Sequence, residues 1–175
     1  KDYCSTLICA YVVYQLMCLK DPSRYFGKPA DNTFDIINIA INAQQANNVF
    51  FKNFVSIIKN APWFRGKYDP KVSQVDFDKN VRVYSGHSEK EAYEGYNVIL
   101  AILDEIDGFP VPGPNAREDA KSADGIYDMY KMSVLSRFPD AGKVLMLSFP
   151  RTKTGFIMRK YDDLVATKET IIRAE

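Results

Sequence analysis

Residues 98–105 read VILAILDE, an unbroken apolar run stopped by two adjacent acids. A half-buried strand alternates apolar and polar residues, whereas a continuous run of this length reads as a strand with both faces in the core. Such a strand needs helices packed over both of its sides, which confines the chain to an α/β layer arrangement. The rest of the sequence supplies the partners. Residues 34–41 (FDIINIAI) and 143–147 (KVLML) read as further buried strands, and 81–84 (VRVY) alternates as a half-buried one. Helical spacing covers residues 2–19, 43–60 with Val49, Phe50, Phe54, Ile57 and Ile58 on one stripe, 122–138, and 155–165. Residues 23–32 and 63–79, rich in Pro and Gly, read as turns and irregular chain, as does the long connection after the acids through Gly108, Pro110, Pro112, Gly113 and Pro114. The expectation is one domain with a mainly parallel sheet and helices on both faces, since 175 residues at 46% hydrophobic suffice for one core and not for two full-sized ones.

Charge narrows the function classes. Lys and Arg number 23 against 22 Asp and Glu, so no global basic field marks a nucleic-acid binder and any such contact must be local. The longest apolar run, residues 7–19, is too short to cross a bilayer and contains Gln15, so it reads as a helix packed on both sides and no membrane is expected. Cys4, Cys9 and Cys18 all fall in that helix at spacings that match no zinc or redox motif, and they read as buried thiols of a reducing compartment. Lys1 in place of Met, with no targeting leader ahead of the helix, suggests an excerpt of a longer chain.

Three signals carry chemistry. In open α/β sheets ligands bind beyond the carboxyl ends of the strands, which is where Asp104 and Glu105 fall. In a Walker B element the first acid holds the Mg²⁺ shell of a nucleotide and the second orients and polarises the attacking water. The plain alternative is a strand that ends at solvated acids, and Asp107 in the same turn is read as structural or solvated. The second signal is Lys1-Asp2, directly ahead of the first helix, where the phosphate-reaching lysine of a P-loop stands and where free N–H groups and the helix dipole favour phosphate. Asp2 occupies the place of the usual Ser or Thr on Mg²⁺, a role a carboxylate can also serve. The third is LMLSFP at residues 145–150, a buried strand closing on Ser148, Phe149 and Pro150.

The lysine-led helix start, EGYNVILAILDEIDGF at 94–109, the helix after it, and KVLMLSFPR at 143–151 resemble the ATPase (motor) domain of bacteriophage DNA-packaging terminase large subunits. The resemblance covers most of the chain. It implies a P-loop NTPase fold of the RecA-like, additional-strand (ASCE) class, beginning at the Walker A lysine and so truncated at its N-terminus, with the nuclease domain of the parent outside residues 1–175. It implies ATP and Mg²⁺, with Lys1 and Asp2 binding nucleotide, Asp104 and Asp2 holding the metal, Glu105 catalytic, and Ser148, Phe149 and Pro150 coupling hydrolysis to movement. Double-stranded DNA, the portal and prohead, the small terminase subunit, a homo-oligomeric ring and the host cytoplasm follow from the same resemblance. A helicase-like nucleic-acid translocase would share every residue named, and a non-hydrolysing α/β interaction module remains the reading outside enzymes. The class topology suggests that the strand feeding the P-loop lies mid-sheet, leaving a gap here. A β-strand ahead of Glu105 paired on both sides within this chain would overturn that topology. Lys1, Asp104, Glu105 and Ser148 are expected to line one crevice. His87 reads as a surface-loop residue, Gln44 and Gln45 as helix-start positions open to DNA or subunit contacts, and Arg151, Lys153, Arg159 and Lys160 as a solvated basic face beside Asp162 and Asp163.

Overall fold

In a computed structural model, which describes residues 2–41, 46–87, 95–111 and 121–167, helix α1 (Asp2–Cys18) and the single turn α2 (Pro22–Tyr25) lead into strand β1 (Phe34–Ala40). A π-helical turn (Ala46–Phe51) continues as α3 (Lys52–Asn60), followed by strands β2 (Tyr68–Pro70), β3 (Gln74–Phe77), β4 (Val81–His87) and β5 (Val98–Asp104). Helix α4 (Ala123–Arg137), strand β6 (Lys143–Leu147) and helix α5 (Phe156–Thr167) complete the described chain. Six strands form one sheet in the order β2-β3-β4-β1-β5-β6. β4, β1, β5 and β6 run parallel, and β2 and β3 are antiparallel additions on the β4 side.

Every residue of β1 and β5 is buried, as a two-faced strand requires. Their side chains alternate between two cores. Phe34 and Ile36 of β1 and Leu100 and Ile102 of β5 meet Cys9, Ala10, Val13, Leu16 and Met17 of α1 and Phe54 and Ile58 of α3. Ile37, Ile39, Ala101 and Leu103 meet Ile126, Tyr127, Tyr130 and Val134 of α4 and Phe156 of α5 on the opposite face. At about 1.5–3 kcal/mol for each large side chain removed from water, these two layers dominate the stability of the domain. Ser122 starts α4, its Oγ accepting the Gly125 N–H at 3.1 Å.

Four expectations are corrected. The sheet has no gap, because β5 is hydrogen-bonded to β1 on one side and β6 on the other; the open parallel edge belongs to β6, which among the described strands pairs only with β5 and keeps its apolar residues half-exposed. The stretch 63–79 contains the β2–β3 hairpin, which buries only Val75 and Phe77. Ser85, Gly86 and His87 are strand, not loop, because they pair along the full length of β1. Helix α1 packs on one side, leaving Tyr3, Leu7, Tyr11 and Tyr14 exposed, so that Cys9 is buried while Cys4 and Cys18 are exposed. No described helix is long and apolar enough to cross a membrane.

Candidate functional site

The direction of α1 decides what stands near the acids. Lys79, just ahead of β4, donates from Nζ to the Met17 carbonyl at 2.8 Å and to the Leu19 carbonyl at 2.5 Å, so the last turn of α1 lies at the amino ends of the strands. Its 17 residues span about 25 Å, close to the roughly 23 Å of the seven residues of β5. The first turn of α1 therefore stands over the carboxyl ends of the strands. Asp2 is the first residue of that turn. Lys1, Gln44 and Gln45 lie outside the described residues.

Asp104 ends β5 and is 3% exposed, on the α1 face that Leu100 and Ile102 share. Glu105 follows with φ 57°, a left-handed backbone that glycine and asparagine tolerate and glutamate rarely adopts. Left-handed non-glycine residues cost of order 1 kcal/mol or more and gather at functional sites, where surrounding structure holds them. Here the hold is the tight turn Ile106–Gly108, in which the Gly108 N–H reaches the Glu105 carbonyl at 2.7 Å.

Beside the acids the α1 face turns polar. Asn38 of β1 is fully buried and stands opposite Ser85 of β4 and Ile102 of β5, one same-face step short of Asp104. Asn38 Oδ1 and Nδ2 and Ser85 Oγ are buried without a hydrogen-bond partner in the protein. Buried polar groups are nearly always paired, so orphaned ones mark a place where water, an ion or a ligand belongs. Ser5 and Thr6, buried on the first turns of α1, are the polar residues of the helix packed over this face. The amino end of the same strand differs: buried Asp35 accepts from the Asn97 N–H at 2.8 Å and the Thr33 hydroxyl at 2.9 Å, and burial raises its pKa against those bonds. A buried carboxylate with neutral oxygen and amide groups beside it fits a hydrated hard cation. Mg²⁺ keeps several waters and takes one or two protein carboxylates, so it does not need the cage of three acidic, His or Cys side chains that the described residues lack.

Leu147 of β6 pairs with Asp104, and Ser148 follows it, so the third signal reaches the same edge. Ser148 Oγ accepts the Asp107 N–H at 3.0 Å. Phe149 and Pro150 are exposed. The structure thus gathers Asp104, Glu105 and Ser148 at one carboxyl edge beneath the start of α1. Of the basic residues, Arg159 pairs with Asp124 of α4 at 2.8 Å and Lys160 lies over the Tyr127 ring at 4.7 Å, fastening α5 to α4. Asp107, read from sequence as structural or solvated, is half-buried, and its carboxylate accepts from the Arg151 N–H at 2.7 Å and the Ile157 N–H at 3.0 Å. Sequence spacing gave no sign of these contacts, which span 44 and 50 residues.

A mainly parallel sheet with helices on both faces, two acids at the carboxyl end of an interior strand and a helix start above them is the arrangement of a P-loop fold. The crystal structure of the HK97 bacteriophage large terminase shares the fold, with a TM-score of 0.65 over 96% of this chain and 32% of that one at 16% identity. The chain belongs to the family described as the N-terminal P-loop domain of uncharacterized protein MJ0330, whose profile matches residues 1–173. Uncharacterized protein MJ0330 of Methanocaldococcus jannaschii is 27% identical over 165 residues, which cover 88% of this chain and 27% of that protein. The chain therefore spans about a quarter of that relative's length.

Proposed function

We propose that this domain binds ATP with Mg²⁺ and hydrolyses it to drive double-stranded DNA, as the motor of a terminase-like packaging machine. The observation that carries the reading is the end of β5: a buried Asp104, then Glu105 fixed at φ 57°, on an interior parallel strand below the start of α1. The family's P-loop description and the fold shared with a phage terminase support it.

Bound Mg²⁺ and ATP supply the reactive phosphoanhydride and the cation that neutralises charge as it breaks. Asp104, with Asp2 from α1, would hold the hydrated cation, and Asn38 and Ser85 would offer polar groups to its water. Lys1, directly ahead of α1 in the sequence, would neutralise the β/γ-phosphates. Glu105 orients the attacking water and accepts its proton; the turn that fixes its backbone means little reorganisation is needed when the reaction occurs. Ser148, Phe149 and Pro150 carry the outcome away from the site. The open edge of β6 accepts the strand that leads into the glycine-rich loop, which would deliver that loop beside α1. Within the whole protein the reading extends to an endonuclease domain, a homo-oligomeric ring, a small terminase subunit, and the portal of a prohead in the host cytoplasm.

The test is made in the full-length protein. Glu105→Gln keeps the shape and removes the charge, so ATP still binds while hydrolysis falls by roughly 10²–10⁴-fold, the loss expected of a positioned base. Asp104→Asn instead weakens Mg²⁺-dependent nucleotide binding. Hydrolysis at the parental rate in the first variant, with normal binding in the second, sinks the proposal and leaves a scaffold with solvated strand ends.

A further inference from the structure

Asp107 makes more connections than its position suggests. Its N–H donates to Ser148 Oγ, one carboxylate oxygen accepts the Arg151 N–H, and the other accepts the Ile157 N–H. Ile157 is the second residue of α5, and its N–H is one that an N-cap side chain ordinarily satisfies. The residue in the N-cap position is Gly155, whose carbonyl accepts the Arg159 N–H and which has no side chain to give. A Cβ at Gly155 would stand 2.7 Å from both Asp107 oxygens. Gly155 is not among the glycines with positive φ, so its backbone would accept a side chain. What excludes one is the Asp107 carboxylate. Helix α5 is thus capped by an acid two residues beyond Glu105 in the chain, not by its own neighbour.

We infer that Asp107 is a positioning residue that transmits the state of the Asp104-Glu105 turn to α5. The inference rests on the nucleotide reading above. Asp107 belongs to the same tight turn as Glu105, and Gly108 beside it lies against Arg151, whose guanidinium would be 2.5 Å from a Cβ there. When Glu105 changes its partner on hydrolysis, the turn shifts and carries Asp107 with it. The cap of α5 and the 148–151 segment then follow as one body. Phe156, buried against Tyr127 at 5.6 Å, and the Arg159–Asp124 ion pair pass that shift to α4.

A local cap separates transmission from simple support. Asp107→Ala removes the distant cap and frees the space at Gly155; adding Gly155→Ser then supplies a hydroxyl that can cap α5 from within its own chain segment. Amide exchange of residues 156–160 in the full-length protein is measured with and without a non-hydrolysable ATP analogue and Mg²⁺, and analogue binding is followed in parallel by equilibrium dialysis. In Asp107→Ala these amides exchange roughly five- to tenfold faster, the opening expected of a lost N-cap. In the double variant their protection returns to the parental level, but the change that the analogue produces in the parent is gone. A double variant that responds to analogue as the parent does overturns the inference and leaves Asp107 a structural cap. Bound analogue with no response in the parent overturns it as well. Absence of binding overturns the nucleotide reading, and this inference with it.

Discussion

Asn38 occupies a place where a buried sheet would ordinarily carry leucine or isoleucine. Its amide stands in the core with neither Oδ1 nor Nδ2 hydrogen-bonded to protein, and an unmet buried amide costs roughly 1–3 kcal/mol. Asn38→Leu keeps the branching and the number of side-chain heavy atoms and removes the polar group, so in nucleotide-free protein the urea midpoint rises, by an amount equivalent to about 1 kcal/mol once the bulkier methyl groups are accommodated. Affinity for Mg-nucleotide falls several-fold in the same variant, because the neighbour of Asp104 on that face no longer offers an oxygen or N–H. A lower urea midpoint would show that Asn38 is already satisfied in the free protein. The sequence singled out Asp104 and Glu105 because a long apolar run ended on them. It gave no such mark to Asn38, since one polar letter inside FDIINIAI carries no information about which face it takes until the register against Ser85 and Ile102 is fixed.

Among the elements, those written as long apolar runs were legible almost to the residue. β6 matches its reading, β5 is displaced by one residue from the apolar strand read at 97–103, and α1, α4 and α5 begin and end within two residues of theirs. The β2–β3 hairpin was not legible, because YDP and QVDF are short and polar and have β-structure only through pairing with each other and with β4. The sheet order was misjudged for a related reason: apolar content tells that a strand is buried, not which strands flank it. The position of α1 over the acids depends on Lys79, whose ammonium binds the last carbonyls of the helix from 60 or more residues away. Lys79→Met keeps the stem and removes the charge at the negative end of the helix dipole. A loss of about 0.5–1 kcal/mol in denaturant unfolding is expected, with faster amide exchange in the last turn of α1. An unchanged last turn would mean that packing alone orients the helix.

The molecule as a whole has two unlike sheet edges. On the hairpin side the outer strand is only three residues long and ends in Pro70, which cannot donate to a further ladder. On the other side β6 presents a row of backbone groups with half-exposed apolar side chains above and below it. If the full-length protein places its loop-bearing strand there, every amide of Lys143–Leu147 is protected from exchange, the outward-facing ones as strongly as those bonded to β5. Alternate amides exchanging at loop rates would show the edge to be open and the assignment of that strand to be wrong. The asymmetry also sets a limit on self-association of the domain by strand addition. Where that edge stays open, two copies joined through β6 would consume the open parallel edge that the described strands leave on each, with the proline-ended rims outside. Such pairing would stop at two subunits and could not propagate into a fibre.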